Sequence, residues 1–157
     1  MSIRFACATA LGWAIIATTV QAANTAAMSV SATVLSKSNC KFPNGSITLP
    51  FGTIDPSGTA NAVASSTTTF TCSGSAATAT FLITQDGGLH NASGNRLQHA
   101  TVPGAFLPYS ISLSPTTGTV PKNLAQTLTI TGTILPGDYQ QAIAGNYADT
   151  VTMTIAP

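Results

Sequence analysis

Apolar and polar residues alternate with a period of two along most of the chain. Met28, Val30, Ala32 and Val34 alternate with Ser29, Ser31, Thr33 and Leu35; Ile47, Leu49 and Phe51 alternate with Thr48 and Pro50; Ala79, Phe81 and Ile83 alternate with Thr80 and Leu82. Further on, Tyr109, Ile111 and Leu113 share one side, as do Leu124, Leu128 and Ile130, and Val151, Met153 and Ile155 alternate with Thr150, Thr152 and Thr154. Successive side chains of a strand point to opposite faces, so this period is the mark of strands with one buried face.

Clusters of turn formers separate the runs: Pro43-Asn44-Gly45, Asp55-Pro56-Ser57-Gly58, Asp86-Gly87-Gly88, Pro115 to Gly118 and Pro136-Gly137-Asp138. They supply positive φ or a preset proline φ and so bound the strands. About eight short strands at this spacing, with no stretch of 3.6-residue periodicity, predict an all-β, antiparallel sandwich. Pro50 cannot donate to a central ladder and marks its strand as an edge or a bulge. The small, polar stretch Ser57 to Ser66 reads as a surface connection.

The N-terminus departs from this pattern. Met1 to Arg4 carries one positive charge, Phe5 to Val20 is an apolar run, and Val20-Gln21-Ala22 places small or β-branched side chains where a signal peptidase inspects the chain. Residues 1–22 are therefore expected to be a secretion signal cut after Ala22, or else after Ala23. A run of about 16 apolar residues interrupted by Gly and Thr is short for a membrane span. The remainder, about 135 residues, suits one domain with one core.

Charge narrows the class of partner. Beyond Arg4, the cations Lys37, Lys41, Arg96 and Lys122 face Asp55, Asp86, Asp138 and Asp149, with no Glu in the chain. The cations are scattered, which argues against a nucleic-acid partner, because backbone phosphates demand clustered Lys and Arg. Charged residues make up 6% of the chain, against about 25% in an average soluble protein. A surface filled with Thr, Ser and Ala opposes association weakly, which suits a protein that joins an assembly.

Cys7 lies in the expected signal, leaving Cys40 and Cys72. Two cysteines in an exported chain are expected to pair, because neither has the close Cys or His partner that a metal or redox site requires. Catalytic constellations are missing: there is no Gly-x-Ser-x-Gly elbow, and Asp86-Gly87-Gly88 lacks the Lys and the following helix of a phosphate loop. His90 and His99 flank Asn91 to Asn95 and are read as bordering an exposed loop, not as metal ligands. Asp149 falls on the same side of its run as Val151 and Met153; a lone buried carboxylate is costly, so a position near solvent or a hydrogen bond to a turn is expected. No catalytic, metal or cofactor residue is assigned, and the expectation is a protein that is not an enzyme.

In order along the chain, Val30 to Val34 before Cys40, Leu49-Pro50-Phe51-Gly52, Thr71-Cys72-Ser73, Gly94-Asn95-Arg96-Leu97, Leu107 to Ile111, Gly132 to Gly137 and Gly145 to Ile155 resemble the spore coat protein U domain, shared with subunits of archaic, Csu-type chaperone-usher pili. The resemblance covers essentially the whole mature chain, and it lacks a Trp-Gly often seen mid-family. It implies an immunoglobulin-like sandwich lacking its last strand, and the pattern ends at Ile155 without another strand. It further implies completion by strand donation: a periplasmic chaperone, then the N-terminal extension of the next subunit, would fill the groove, with an outer-membrane usher guiding assembly into a surface pilus. On this basis residues 23–34 are the donor extension, with Met28, Val30, Ala32 and Val34 as its inward side, and residues 35–157 the pilin domain. Without the resemblance, residues 28 to 34 read as an ordinary first strand. A monomeric adhesive or carbohydrate-binding module and a spore-coat structural protein are the alternative functions.

Overall fold

The structure, a computed structural model, describes residues 26–33 and 38–157. The chain divides after Thr33 into two units. Residues 26–33 form no regular element, and Met28 and Val30 are exposed. Val34, Ala22 and Ala23 lie outside the described residues.

The body from Ser38 onward contains ten strands and one short helix: β1 (Ser38–Lys41), β2 (Ala62–Gly74), β3 (Thr78–Gln85), β4 (Arg96–His99), β5 (Phe106–Pro108), β6 (Ser110–Ser114), β7 (Thr117–Pro121), β8 (Gln126–Ile134), α1 (Pro136–Tyr139), β9 (Tyr147–Ala148) and β10 (Met153–Ala156). They form a four-stranded sheet in the order β1-β2-β8-β6 and two three-stranded sheets, β10-β3-β7 and β5-β4-β9. Every ladder is antiparallel, as the alternating pattern predicts for sheets with one solvated face.

The longest ladder joins β2 to β8, from Ala62 opposite Ile134 to Phe70 opposite Gln126. Its inward residues include Ala64, Phe70, Leu128, Ile130 and Ile134, while Thr67 and Thr69 face out. Burying Phe70, Leu128 and Ile134, each almost fully sequestered, contributes on the order of 2 kcal/mol per side chain. Two apolar clusters result. One gathers Phe70, Cys72, Phe81, Ile83, Val120 and Leu128; the other gathers Leu107, Ile134 and Tyr139.

Several expectations need correction. Ile47 to Phe51 is extended but belongs to no ladder among the described residues. Leu124 is 54% exposed and precedes β8, because its turn ends the inward series before Gln126. Residues 62–66, read as connection, open β2: their small side chains still alternate inward and outward. Pro136-Gly137-Asp138 is not merely a turn but the start of α1, where proline at the first turn is tolerated and the Tyr139 side chain is buried.

Candidate functional site: an open edge groove

Ser46 to Ile54 carries the pattern of a strand without the hydrogen bonds of one. Ile47, Leu49, Phe51 and Ile54 are half-buried and pack on the two core clusters, while Thr48 and Pro50 point outward. No backbone hydrogen bond joins these residues to another segment among those described. Gly132 of β8 makes their approach possible: a Cβ there would come within 2.6 Å of Phe51 Cζ and 2.9 Å of Leu49 Cδ2. A glycine inside a strand often marks such a close passage.

The second border is the last strand and its approach. Asp86 N–H donates to the Thr152 carbonyl at 3.0 Å, and Leu89 N–H to the Thr150 carbonyl at 3.0 Å, so alternate residues bond toward the β3 side. β10 ends its sheet, and its other edge has no ladder partner among the described residues. Between the two borders lie two adjoining cavities of about 790 and about 310 Å³. Ile47, Leu49, Phe51, Leu97 and Asp149 line both. Leu107, Ile134 and Tyr147 deepen the larger, and Ile111, Val151 and Met153 the smaller. The result is a long groove of mixed apolar and polar lining whose Ser46–Ile54 border has no backbone partner among the described residues, the condition under which a sheet edge accepts another strand.

One polar cluster lies at the groove. The Asp149 side chain is only 1% exposed, yet it is not alone. Tyr109 O–H donates to Asp149 Oδ2 at 2.8 Å and His90 Nδ1 lies 3.0 Å from Oδ1. Burial first, and then the hydrogen bond and charge of Asp149, raise the Tyr109 pKa above its ordinary 10.0. Gly88, at φ +80, leaves the space the carboxylate occupies, since a Cβ there would collide with Asp149 Oδ2. Asp86 secures the neighbouring turn: its Oδ1 accepts from Gly88 N–H at 3.0 Å and Thr152 N–H at 2.9 Å, and these bonds hold its carboxyl below the usual 3.8. Arg96 completes the surround, donating from Nε to the His90 carbonyl at 2.9 Å and lying 4.1 Å over the Phe106 ring.

Asn91 to Gly94 are exposed, as expected of the loop between the two histidines, but His99 itself is not. It is 7% exposed, its Nδ1 accepts from the Thr101 and Val102 N–H groups at 3.1 Å each, and Nε2 donates to the Ala144 carbonyl at 3.2 Å. Its sequence position could not reveal this, because the partners come from the turn after β4 and the segment before β9. Asp149 likewise sits deeper than near solvent, and its burial is made tolerable by two side chains, Tyr109 and His90, the second of them in a turn.

Cys40 and Cys72 are bonded and stand directly opposite each other in the β1–β2 ladder, with both residues in the core. Met28, Val30 and Ala32, the expected donor face, lie in the N-terminal unit. In the sequence Tyr109 stood only as an inward strand position, Asp86 only as a turn former and Gly132 only within the resemblance; for Gly132 the signal was present, a glycine within the alternating run of β8.

Fold and groove together define a class: a disulfide-bonded antiparallel β-sandwich with a groove beside one sheet edge. The Spore Coat Protein U domain profile matches residues 24–154, and the chain belongs to that family. This domain is found in subunits of chaperone-usher pili, and the family is one of structural subunits, not of enzymes. The general role is accordingly structural, within a pilus-type assembly. None of the curated proteins matches the chain. No helix among the described residues is long and apolar enough to cross a membrane.

Proposed function

We propose that this protein is a subunit of a bacterial surface pilus, assembled by the chaperone-usher route through donor-strand complementation and supporting adhesion or biofilm formation. The observation that carries this reading is the groove between Ser46–Ile54 and the chain from Ala142 to Met153, lined by apolar side chains of both core clusters and bordered at Ser46–Ile54 by backbone without a ladder partner among the described residues. A strand inserted there would pair with open backbone on both borders and bury the exposed apolar interior.

The N-terminal segment has the chemistry of such a strand. Met28, Val30, Ala32 and Val34 alternate with hydroxyl residues up to Leu35, so one face is apolar and the other is suited to solvent. Burying Met28, Val30 and Val34 would contribute on the order of 5 to 9 kcal/mol before ladder hydrogen bonds are counted. A periplasmic chaperone would cover the groove until the outer-membrane usher brings in the next subunit. Export would begin with cleavage after Ala22 or Ala23; the family match beginning at residue 24 supports that position.

The test compares the periplasmic protein with and without residues 23–34, by gel filtration and by electrophoresis without boiling. Ladders that dissociate on heating, and that vanish with the truncation, are the expected result. Stable monomers of both forms would overturn strand donation in favour of a monomeric binding module.

A further inference from the structure

We propose that Asn44 is a site of spontaneous covalent change, in which the Gly45 amide nitrogen closes on the Asn44 side chain and leaves an isoaspartyl link that unseats Ile47 from the core. The change needs no second subunit, so its test is separate from that of strand donation.

Such a cyclisation requires a side-chain carboxamide next to a backbone nitrogen that is free and unshielded. Asn44 is the one asparagine of the chain followed by glycine; every other precedes a residue whose Cβ crowds the attacking nitrogen. Asn44 and Gly45 are both exposed in a bend. The Gly45 N–H donates no backbone hydrogen bond, and the Asn44 carboxamide has no partner among the described residues. A Cβ at Gly45 would meet nothing within 4 Å, so the backbone has room to turn toward the ring-closing geometry. Other asparagines are held: Asn39 is paired opposite Ser73 in the β1–β2 ladder, and Asn91 Oδ1 accepts from the Gly94 N–H at 3.4 Å.

The steps balance without oxidant or cofactor. The Gly45 nitrogen bonds to Asn44 Cγ, the Cγ–Nδ2 bond breaks, and Nδ2 departs as ammonia with the proton that the Gly45 nitrogen gives up. Water then opens the five-membered imide. Attack at Cγ restores the ordinary main chain with aspartate at position 44. Attack at the main-chain carbonyl carbon leaves Gly45 attached through Cγ, as isoaspartate. Both products carry a new negative charge, and the second lengthens the backbone by one methylene, a bond of about 1.5 Å.

The two ends of the connection, residues 43–46, resist that length unequally. Upstream, Cys40 is bonded to Cys72 within a ladder that reaches Lys41, and the Phe42 ring meets Phe70 edge-on with centroids 6.4 Å apart. Downstream, Ile47 rests on the core by side-chain packing, without a backbone hydrogen bond to another segment among the described residues. The end with fewer bonds opens at lower cost. Ile47, which lines both cavities, is therefore the residue that moves, and Phe51 behind it loses protection.

The purified periplasmic protein is incubated at mildly alkaline pH and its peptides are mapped by mass spectrometry. The peptide holding Asn44 is expected to give two products of equal mass, with carboxylate in place of carboxamide, one of them methylated by an isoaspartyl methyltransferase; the Asn39 and Asn91 peptides stay unchanged. Gly45→Ala, for which the open space leaves room, should lose the conversion over the same interval. The isoaspartyl form should be cut by chymotrypsin after Phe51 faster than the fresh chain, whereas Asn44→Asp, with the charge but not the methylene, is cut at the fresh rate. An Asn44 peptide left intact under conditions that convert the isolated peptide of the same sequence would overturn the site. Conversion that leaves Phe51 as resistant as before, or equal loss of resistance in Asn44→Asp, would overturn the displacement of Ile47.

Discussion

The hydroxyl of Tyr109 donates a 2.8 Å hydrogen bond to Oδ2 of Asp149, across 40 residues of sequence. It ties the start of β6 to the approach of β10, and so joins the four-stranded sheet to the border of the groove.

Replacing Tyr109 by Phe removes that bond and leaves a buried carboxylate oxygen without its partner. Hydrogen bonds to charged groups contribute about 2 kcal/mol, and a loss of this order is expected in urea unfolding at neutral pH. The pH dependence has a definite sign. The folded-state pKa of Tyr109 is raised above 10.0, so the folded chain holds the phenolic proton more tightly than the unfolded chain. Its contribution is complete below pH 10.0 and declines as pH rises from there toward the raised folded value. Comparing unfolding at about pH 8 and about pH 11, the native protein should lose stability that Tyr109→Phe does not lose further; equal losses in both would refute the assignment.

Gly132 permits Leu49 and Phe51 to lie against β8. Gly132→Val would push both side chains away, since even a Cβ meets them within 3 Å. The β2–β8 ladder should survive, because valine suits a strand, but Ser46–Ile54 should detach. Limited proteolysis is expected to cut the variant within that segment, and heat-sensitive ladders should disappear. A variant that is resistant there and still polymerises would show that Ser46–Ile54 does not shape the groove.

The contrast between strands and groove explains how much was legible in the sequence. Ala79, Phe81 and Ile83 alternate with outward residues, and β3 follows them. Cys40 and Cys72, the only cysteines beyond the expected signal, were readable as a pair from composition and compartment. Ile47, Leu49 and Phe51 show the same alternation, yet form no ladder: the period reports which face is buried, not whether the backbone has a partner. The Tyr109–Asp149–His90 cluster was illegible for another reason. Its members lie between β5 and β6, before β10 and after β3, and only the tertiary fold brings them together.

The Cys40–Cys72 bond closes a loop with a sequence separation of 32. On the chain-entropy model, opening it costs about 3 to 4 kcal/mol. The double variant Cys40→Ser, Cys72→Ser also places two hydroxyls in the apolar cluster around Phe70, so it should be less stable than the reduced native chain. Thermal unfolding with and without reductant, beside the double variant, measures both contributions. A variant as stable as the oxidised protein would contradict the burial of this pair.

Thr68 points inward from β2 and is 8% exposed, and its Oγ1 has no hydrogen-bond partner among the described residues. Burying an unpaired hydroxyl costs about 1 to 3 kcal/mol. Thr68→Val keeps the shape and the β-branching while removing the polar atom, so a gain on the order of 1 kcal/mol is expected in chemical denaturation. An unchanged or lowered midpoint would mean that the hydroxyl has found a partner.

Asp86 couples the final strand to solvent acidity. Its carboxylate accepts the amides of Thr152 and Gly88, and these bonds depress its pKa below 3.8. A depressed carboxylate stabilises the fold above its unfolded value and loses that contribution as pH falls through the lowered folded value. The Thr152 amide should therefore be protected from exchange at neutral pH and lose protection only in acid below 3.8. Asp86→Ala should abolish that protection at every pH while leaving the β2–β8 amides protected, because the side chain touches the approach to β10 and not the central ladder. Retained protection of Thr152 in Asp86→Ala would show that the backbone of β10 is held without this carboxylate, and the acid sensitivity of the groove border would then need another source.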